Sequence, residues 1–170
     1  MGEFEKMIKM LRIDERLIHG QVAVVWSKAL SITHIIVANN DVVNNELQIT
    51  SMKIAVPDNI KFIARDVKDT INILNNPKAE NLSMMVVVRN FKDALEIAKN
   101  VKNIEQVNVG NYGLLPVNKH KGKPQKKIDA TVEVDDDDMK YIKEIAELNV
   151  PFDSQLTPDS SKKNFKKIYG

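Results

Sequence analysis

The sequence contains 170 residues, 43% of them hydrophobic, which suits one domain with a core between two layers of secondary structure. Lysine and arginine (25) nearly balance aspartate and glutamate (23), and the resulting net charge of +2 argues against nucleic acid as a partner. The sequence has no cysteine for disulfides or thiolate metal sites and no apolar run near the roughly 20 residues of a membrane span, so we expect a soluble intracellular protein.

The N-terminal end carries a second methionine, Met7, where the first strand pattern begins. We therefore interpret residues 1–6 as a cloning remnant or an alternative start, and residues 7–170 as one domain. No internal repeat, linker or low-complexity segment divides that range.

Short runs rich in β-branched residues alternate with stretches of helical period, which is the pattern of βαβ units in a parallel sheet. The seven predicted strands cover residues 7–13, 34–38, 60–64, 84–89, 106–109, 130–134 and 152–156. We predict an α/β fold: a single domain with a mostly parallel seven-stranded sheet and helices on both faces.

The segments after these strands carry apolar residues at helical spacing, and five of them are predicted helices. Their apolar faces are Val22, Val25, Trp26, Ala29 and Leu30; Val43, Leu47, Thr50 and Ile54; Val67, Ile71 and Leu74; Phe91, Ala94, Leu95 and Ala98; and Met139, Ile142, Ile145 and Ala146. A closing helix is predicted over residues 158–168, beginning at Pro158 or Asp159.

Two charged runs allow alternative interpretations. Four consecutive aspartates at 135–138 suit the first turn of the fifth helix, where carboxylates cap free N–H groups. A hard-cation site is the alternative, but consecutive carboxylates on a helix diverge, so we favour capping and expect no metal. The lysine-rich run from Lys119 to Lys127 is predicted to be a solvated loop, and docking of an acidic partner there stays open.

Residues 12–21, which end the first strand and open the first helix, form the richest polar cluster in the chain. The loop after the carboxyl end of a parallel strand faces the ligand crevice. His19 stands directly before Gly20 and Gln21, at a helix N-terminus whose free N–H groups and positive dipole end suit a phosphoryl group. Since that positive end disfavours an imidazolium, His19 keeps the lone pair of a nucleophile. The pattern predicts a phosphohistidine.

The two arginines of this segment, Arg12 and Arg16, are predicted to compensate the phosphate charge, because a guanidinium binds two phosphate oxygens and makes a metal unnecessary. Asp14 is predicted to orient an arginine or to hold the non-reacting ring nitrogen of His19. The alternatives are a capping or packing role for His19 and a surface salt bridge from Arg12 to Glu15 or Asp14.

The other polar motifs favour no competing chemistry. His34 begins an apolar strand, which indicates a structural role, and His120 lies in the lysine-rich loop, which indicates a solvated position. No G-x-G-x-x-G or G-x-x-x-x-G-K-[ST] motif follows a predicted strand, so a nucleotide-binding module is set aside.

Residues 12–22, R-I-D-E-R-L-I-H-G-Q-V, closely resemble the signature R-[IV]-D-[DE]-R-L-[IL]-H-G-Q-V. That signature belongs to enzyme IIB of the mannose/fructose/sorbose branch of the bacterial phosphoenolpyruvate-dependent sugar phosphotransferase system. Residues 35–42, 75–78 and 107–110 are also similar to segments of that family and occur in the same order. The resemblance extends from Met7 to about Phe165 and implies the same α/β fold.

By this resemblance His19 is the phosphorylated histidine and Arg16 the arginine that stabilises the phosphate. Arg12 and Asp14 are implied as polar partners that flank them. The resemblance also implies a second group of crevice residues on the loops after other strands. These are Asn40, Asp41 and Gly110, which complete the predicted site together with Gly20 and Gln21 at the helix start.

The resemblance further implies an enzyme, a protein-N-phosphohistidine–sugar phosphotransferase that needs no cofactor. It would accept phosphate from enzyme IIA and pass it to a sugar taken up through the membrane components IIC and IID. Such a protein would be cytoplasmic and associate transiently with the inner face of the membrane. The sequence departs from the family pattern at residues 111–116 and at Val150–Pro151, which affects the prediction of partner docking and of the sugar. The alternative is a stand-alone regulatory interaction domain that is phosphorylated as a signal.

Overall fold

The computed structural model describes residues 8–119 and 123–169, so the predictions for residues 1–6, Met7 and His120 lie outside the described residues. The strands are β1 Ile8–Ile13, β2 His34–Ala38, β3 Lys61–Arg65, β4 Met84–Val88, β5 Val107–Val109, β6 Lys126–Asp129, β7 Val132–Val134, β8 Phe152–Ser154 and β9 Lys163–Asn164. The helices are α1 Val22–Ala29, α2 Glu46–Ala55, α3 Val67–Leu74, α4 Phe91–Asn100, α5 Asp136–Glu147 and α6 Phe165–Tyr169. Two 3-10 turns cover Val42–Asn44 and Pro77–Ala79.

Seven of these strands form one sheet in the order β3-β2-β4-β1-β5-β8-β9. All neighbours pair in parallel except β8 and β9, which are antiparallel. The single α/β domain with a mostly parallel seven-stranded sheet is therefore confirmed. Its central strand β4 is apolar and buried throughout, as expected for a strand covered on both faces, and the adjacent β1 is apolar except for Lys9 and Arg12.

The helices cover both faces of the sheet, as predicted. Alternate residues of β2 and β4 point to opposite sides, so the core divides into two clusters. On the first face Ile35, Val37, Met85 and Val87 pack with residues of α1 and α2. On the second face Ile36, Ala38, Val86 and Val88 pack with residues of α3, α4, α5 and α6.

The described helices differ in whether a side chain caps their first turn, and the difference affects the site. Four helices begin at a residue whose side chain accepts a hydrogen bond from the first turn: Asn45, Asp66, Asn90 and Asp135. Helix α1 begins after Gln21, whose side chain makes no such bond. Among the described helices of eight or more residues, α1 alone leaves its first turn without a side-chain cap.

The aspartate run at 135–138 is a helix cap. Asp135 accepts the N–H of Asp138 at 2.9 Å, and Asp138 accepts the N–H of Asp135 at 3.0 Å, which completes a capping box for α5. Asp137 pairs instead with Lys123 at 2.5 Å. The capping interpretation of this run is thus confirmed by its contacts.

The prediction that residues 130–134 form a strand of the main sheet is wrong. Val132–Val134 pairs antiparallel with Lys126–Asp129 in a separate two-stranded sheet, and a tight turn at Ala130 and Thr131 joins the two strands. The partner strand lies at the end of the lysine-rich run predicted as a loop. Its lysines, exposed in the structure, hid the strand pattern because only Ile128 is apolar and buried.

The closing helix begins at Phe165 and not at Pro158 or Asp159, so that prediction is wrong. The side chain of Gln155 donates to the carbonyl oxygens of Pro158 and Ser160, at 3.2 and 2.8 Å, and holds this segment in a turn. Strand β9 follows and completes the seven-stranded sheet. Phe165 is fully buried and stacks on Phe152 with ring centroids 4.4 Å apart.

The apolar face predicted for the second helix is also wrong. Leu47 and Ile54 are 82% and 81% exposed, and Met52 is the buried residue of α2. The helix starts at Glu46 behind its own cap, so Val43 belongs to the preceding 3-10 turn and shares no helical face with Leu47.

Candidate functional site

The strand order predicts a crevice on each side of β1 at the carboxyl edge of the sheet. Strand β1 leads into α1 on the first face, whereas its neighbours β4 and β5 lead into α4 and the β6–β7 hairpin on the second face. Adjacent strands whose connections part to opposite faces leave an open crevice at their carboxyl ends. Residues 14–21 occupy this position, between the loops that follow β4 and β5.

His19 lies in this segment and is partly exposed. It stands two residues before Gln21, the residue that precedes α1. Gly20 follows with a φ of +49°, a left-handed backbone that glycine adopts without strain. Apart from its two chain neighbours, no described residue has a heavy atom within 4 Å of where a Cβ would be. The Nδ1 atom of His19 is buried and makes no hydrogen bond among the residues described. The partly exposed imidazole thus stands just ahead of the uncapped start of α1, with one ring nitrogen buried and without a described partner.

The loop holds Arg16 outward by burying the residues after it. Leu17 and Ile18 are 3% and 6% exposed and belong to the first-face core, whereas Arg16 is exposed. A tight turn makes this possible, since Asp14 accepts the N–H of Arg16 on its carboxylate and the N–H of Leu17 on its carbonyl oxygen. Arg16 is therefore the exposed guanidinium of the predicted pair.

Arg12 is buried at the centre of the sheet edge, 2% exposed. Its Nη1 donates to Asn108 Oδ1 and to the carbonyl oxygen of Gln155, and its Nη2 donates to the carbonyl oxygen of Leu156 at 3.1 Å. The guanidinium also lies 5.5 Å from the ring centroid of Trp26. Arg12 thus ties β1 to β5, to the segment after β8 and to α1. Burial lowers the pKa of Arg12, an effect that the carboxylate of Asp14 opposes.

Asp14 is fully buried and makes one of the two contacts proposed for it from sequence. Its Oδ2 accepts from Arg12 at 3.3 Å and from Asn111 at 3.2 Å. No hydrogen bond to His19 is present among the described contacts. Gly110 packs directly on this pair, because a Cβ there would overlap the Arg12 guanidinium and lie 2.7 Å from the Asp14 carboxylate.

Glu15 is a buried carboxylate whose role the sequence did not reveal. It is 1% exposed and accepts the N–H groups of Gly113, Leu114 and Leu115 at 2.9 to 3.0 Å, and the side-chain amide of Asn118 at 3.2 Å. Its partners are thus the backbone of the loop after β5, and not Arg12. Glu15 fixes that loop against the His19 segment.

The loop after β2 lies farther from β1, because β4 separates the two strands. Asn39, which the sequence did not single out, accepts the N–H groups of Asp41 and Val42 at 3.0 Å. Asn40 accepts the N–H of Val67 at 3.0 Å and so ties this loop to the start of α3. The carboxylate of Asp41 lies near Arg89 and favours the charged form of that guanidinium.

Arg89 is the second residue that the sequence did not single out. It follows β4 directly, is half-buried, and donates from Nε to the carbonyl oxygen of Glu15 at 3.2 Å. Burial lowers its pKa, and the nearby carboxylates of Asp41 and Glu15 oppose that shift. The available signal was a basic residue directly after a buried strand, but the strand order that brings Arg89 beside the His19 segment cannot be taken from residue spacing.

Within residues 8–119 and 123–169 no helix is long and apolar enough to cross a membrane. Nor do the described histidine, aspartate and glutamate side chains form a group of three suited to a metal ion.

Comparison with known proteins places this geometry in a family. The model of the PTS system sorbose subfamily IIB component matches residues 8–170. The chain is 36% identical over 165 residues to a "probable phosphotransferase enzyme IIB component" of Streptococcus pyogenes, covering 95% of this chain and 99% of that protein. It is 32% identical over 150 residues to the sorbose-specific EIIB component of Lacticaseibacillus casei, covering 88% and 87%.

A solved structure is similar over nearly the whole chain. The crystal structure of the IIBSor domain of the sorbose permease from Klebsiella pneumoniae superimposes with a TM-score of 0.83, covers 95% of each chain and is 28% identical in sequence.

Proposed function

The chain belongs to the sorbose subfamily of IIB components, phosphotransferases of the sugar phosphotransferase system, and we propose that it carries a phosphoryl group on His19. One observation supports this assignment above others. His19 lies partly exposed at the carboxyl edge of the sheet beside β1, just ahead of α1, the only described helix of eight or more residues that begins without a side-chain cap. That arrangement offers a nucleophile and an amide cradle together.

The donor in this proposal is a histidine-phosphorylated enzyme IIA. A His19 nitrogen that bears no hydrogen attacks phosphorus, the bond from phosphorus to the donor nitrogen breaks, and the electron pair stays on the donor. No metal is part of the step. Charge on the phosphoryl oxygens is met by guanidinium groups and the first-turn amides of α1.

Arg16 is the proposed phosphate ligand of the segment, because it is exposed and its backbone is held by Asp14. For Arg12 we propose a positioning role in place of the phosphate contact expected from sequence. Its terminal nitrogens donate to Asn108, to Asp14 and to two carbonyl oxygens, and it is 2% exposed. The Arg12–Asp14 pair would thus set the backbone from which Arg16 and His19 project.

In the second step the acceptor is a sugar bound by the membrane components IIC and IID. The sugar hydroxyl oxygen attacks phosphorus, the P–N bond breaks with its electron pair returning to His19, and the hydroxyl proton is released. The protein would act on the cytoplasmic side and meet the inner face of the membrane transiently.

The test uses phosphorylated IIA as donor and two matched histidine variants. Wild-type protein and His34→Gln should form one acid-labile adduct, because His34 lies in β2 away from the loop, whereas His19→Gln should form none. Adduct that persists in His19→Gln refutes the assignment.

A second stage tests the enzyme against a signalling domain. Phosphorylated protein added to membranes that contain IIC and IID should lose its phosphate to sugar, and Arg16→Ala should slow this by about tenfold or more. Phosphoprotein that forms normally and never discharges to sugar would support the regulatory alternative.

A further inference from the structure

The end of β4 carries an arginine that the proposed mechanism has not used. Strand β4 lies between β2 and β1, and Val88 pairs with Ile13 in register. The next residue, Arg89, therefore stands level with Asp14, where the His19 segment begins. The N–H of Asp14 donates to the carbonyl oxygen of Val88 at 2.9 Å and fixes this register.

The guanidinium of Arg89 lies against the His19 segment. Its Nε donates to the carbonyl oxygen of Glu15, four residues before His19. The carbonyl oxygen of Arg89 accepts from Asn118, whose amide also donates to Glu15. The side chain and the backbone carbonyl oxygen of Arg89 thus both bond to residues that hold the His19 segment and the loop after β5 together.

The terminal nitrogens of Arg89 remain available. Neither donates a hydrogen bond within the described ranges, and no described carboxylate lies within ion-pair distance of them. Arg12 presents the opposite case, since both of its terminal nitrogens bond to protein oxygens. A half-buried guanidinium with two unused nitrogens at an anion-binding crevice is arranged to receive an anion.

We propose that Arg89, held by its Nε at the Glu15 carbonyl oxygen, binds the phosphoryl group on His19 with its terminal nitrogens, opposite Arg16. This inference rests on the proposed function and adds a catalytic residue to it. The phosphoryl group would then lie between one arginine from its own loop and one from the neighbouring strand. The nearby carboxylates of Asp41 and Glu15 oppose the lowering of the Arg89 pKa by burial and so favour its charged form.

The test phosphorylates the protein with phosphoramidate, a small donor that removes partner docking from the measurement. Four proteins are compared: wild type, Arg89→Gln, Arg89→Lys and Arg65→Gln. Arg65 is the control because it also ends a strand at this edge, on β3, but it is exposed, and the one described hydrogen bond of its side chain goes to the carbonyl oxygen of Ala64.

Two quantities are read: the rate of phosphorylation and the pH titration of the phosphoryl group by phosphorus NMR. Arg89→Gln should slow phosphorylation by about 10- to 100-fold, the effect of losing charge-assisted hydrogen bonds. It should also raise the pKa of the phosphoryl group, because a bound guanidinium favours the dianion. Arg89→Lys should keep much of the titration shift but lose rate, and Arg65→Gln should match wild type.

The outcomes separate the two proposals. Wild-type protein that takes no phosphate on His19 contradicts the proposed function itself. Normal phosphorylation of His19 in Arg89→Gln, with an unchanged titration of the phosphoryl group, overturns only the role of Arg89. Arg89 would then serve only to hold the loop through its bond to Glu15. Should Arg89→Gln fail to fold, slower solvent exchange of the Arg89 terminal N–H protons on phosphorylation of wild-type protein supports the contact, and unchanged exchange overturns it.

Discussion

Arg12 donates from Nη2 to Asp14 at 3.3 Å, and the two side chains are 2% and 0% exposed. A buried ion pair stabilises a fold only when its remaining hydrogen-bonding groups are satisfied. Here Asp14 also accepts from Asn111 and from the backbone of Arg16, so one carboxylate connects β1, the loop after β5 and the exposed arginine. The shape of the His19 segment depends on this pair.

The same substitution should therefore have different effects at the two arginines of the segment, a loss of stability at Arg12 and a loss of phosphorylation at Arg16. Arg12→Met should lower the free energy of unfolding by about 3–5 kcal/mol, because it leaves a buried carboxylate without its charged partner. Arg16→Met should change it by less than about 0.5 kcal/mol, as expected for an exposed residue, yet reduce phosphorylation. Chemical denaturation and phosphate incorporation measure the two effects. Equal loss of stability in both variants would be incompatible with the burial of Arg12.

Two glycines of the site form a second matched pair. Gly110→Ala should destabilise the protein by more than about 2 kcal/mol, because its Cβ overlaps the buried guanidinium and carboxylate. Gly20→Ala should cost only the left-handed backbone strain of about 1 kcal/mol, since nothing lies near its Cβ position. Thermal and urea denaturation of both variants gives the comparison, and a Gly110→Ala variant as stable as Gly20→Ala would contradict the packing.

Glu15→Gln tests the link between the His19 segment and the loop after β5. A neutral amide presents one acceptor oxygen to four donors, so the loss should be about 2–3 kcal/mol. Hydrogen exchange at Gly113, Leu114 and Leu115 should accelerate. The exposed Glu80→Gln serves as control. Unchanged protection of the three amides in Glu15→Gln would count against this link.

A pH effect is expected at His34. Its pKa is lowered from the ordinary value by partial burial and by Lys61, its register partner on β3. The folded protein therefore binds this proton less readily than the unfolded chain, and stability should fall as the pH drops below about 6.5, the ordinary histidine value, toward the lower folded value.

The His34→Gln variant should lose less stability than wild type over that acidic range. Urea midpoints of both proteins at several pH values measure the difference. Parallel curves for the two proteins would mean that His34 does not contribute.

The position of the His19 segment between the end of β1 and the start of α1 was predictable because its signals are local. His19, Gly20 and the start of α1 follow one another in the chain, and the loop after a parallel strand faces the crevice by a general rule. Arg89 and the loop partners of Glu15 were not predictable in the same way. Their proximity to His19 depends on strand order, in which β4 and β5 flank β1, and the spacing of residues along one chain does not give that order.

The burial of Arg12 was missed for a related reason. An arginine near the end of a strand is usually expected at the surface. The acceptors that bury Arg12, on Asn108, Gln155 and Leu156, are distant in sequence. The closing helix shows a further limit, because Pro158 and Asp159 resemble a helix start while the side chain of Gln155 holds that segment in a turn. Such side-chain to backbone bonds compete with helix formation.

The most direct test of the central claim is the location of phosphate in wild-type protein after reaction with phosphorylated IIA. Peptide mapping under alkaline conditions, which preserve phosphohistidine, assigns the modified residue among His19, His34 and His120. We predict that all of the phosphate lies on His19. Phosphate on either of the other histidines, or none on any of them, would contradict the account.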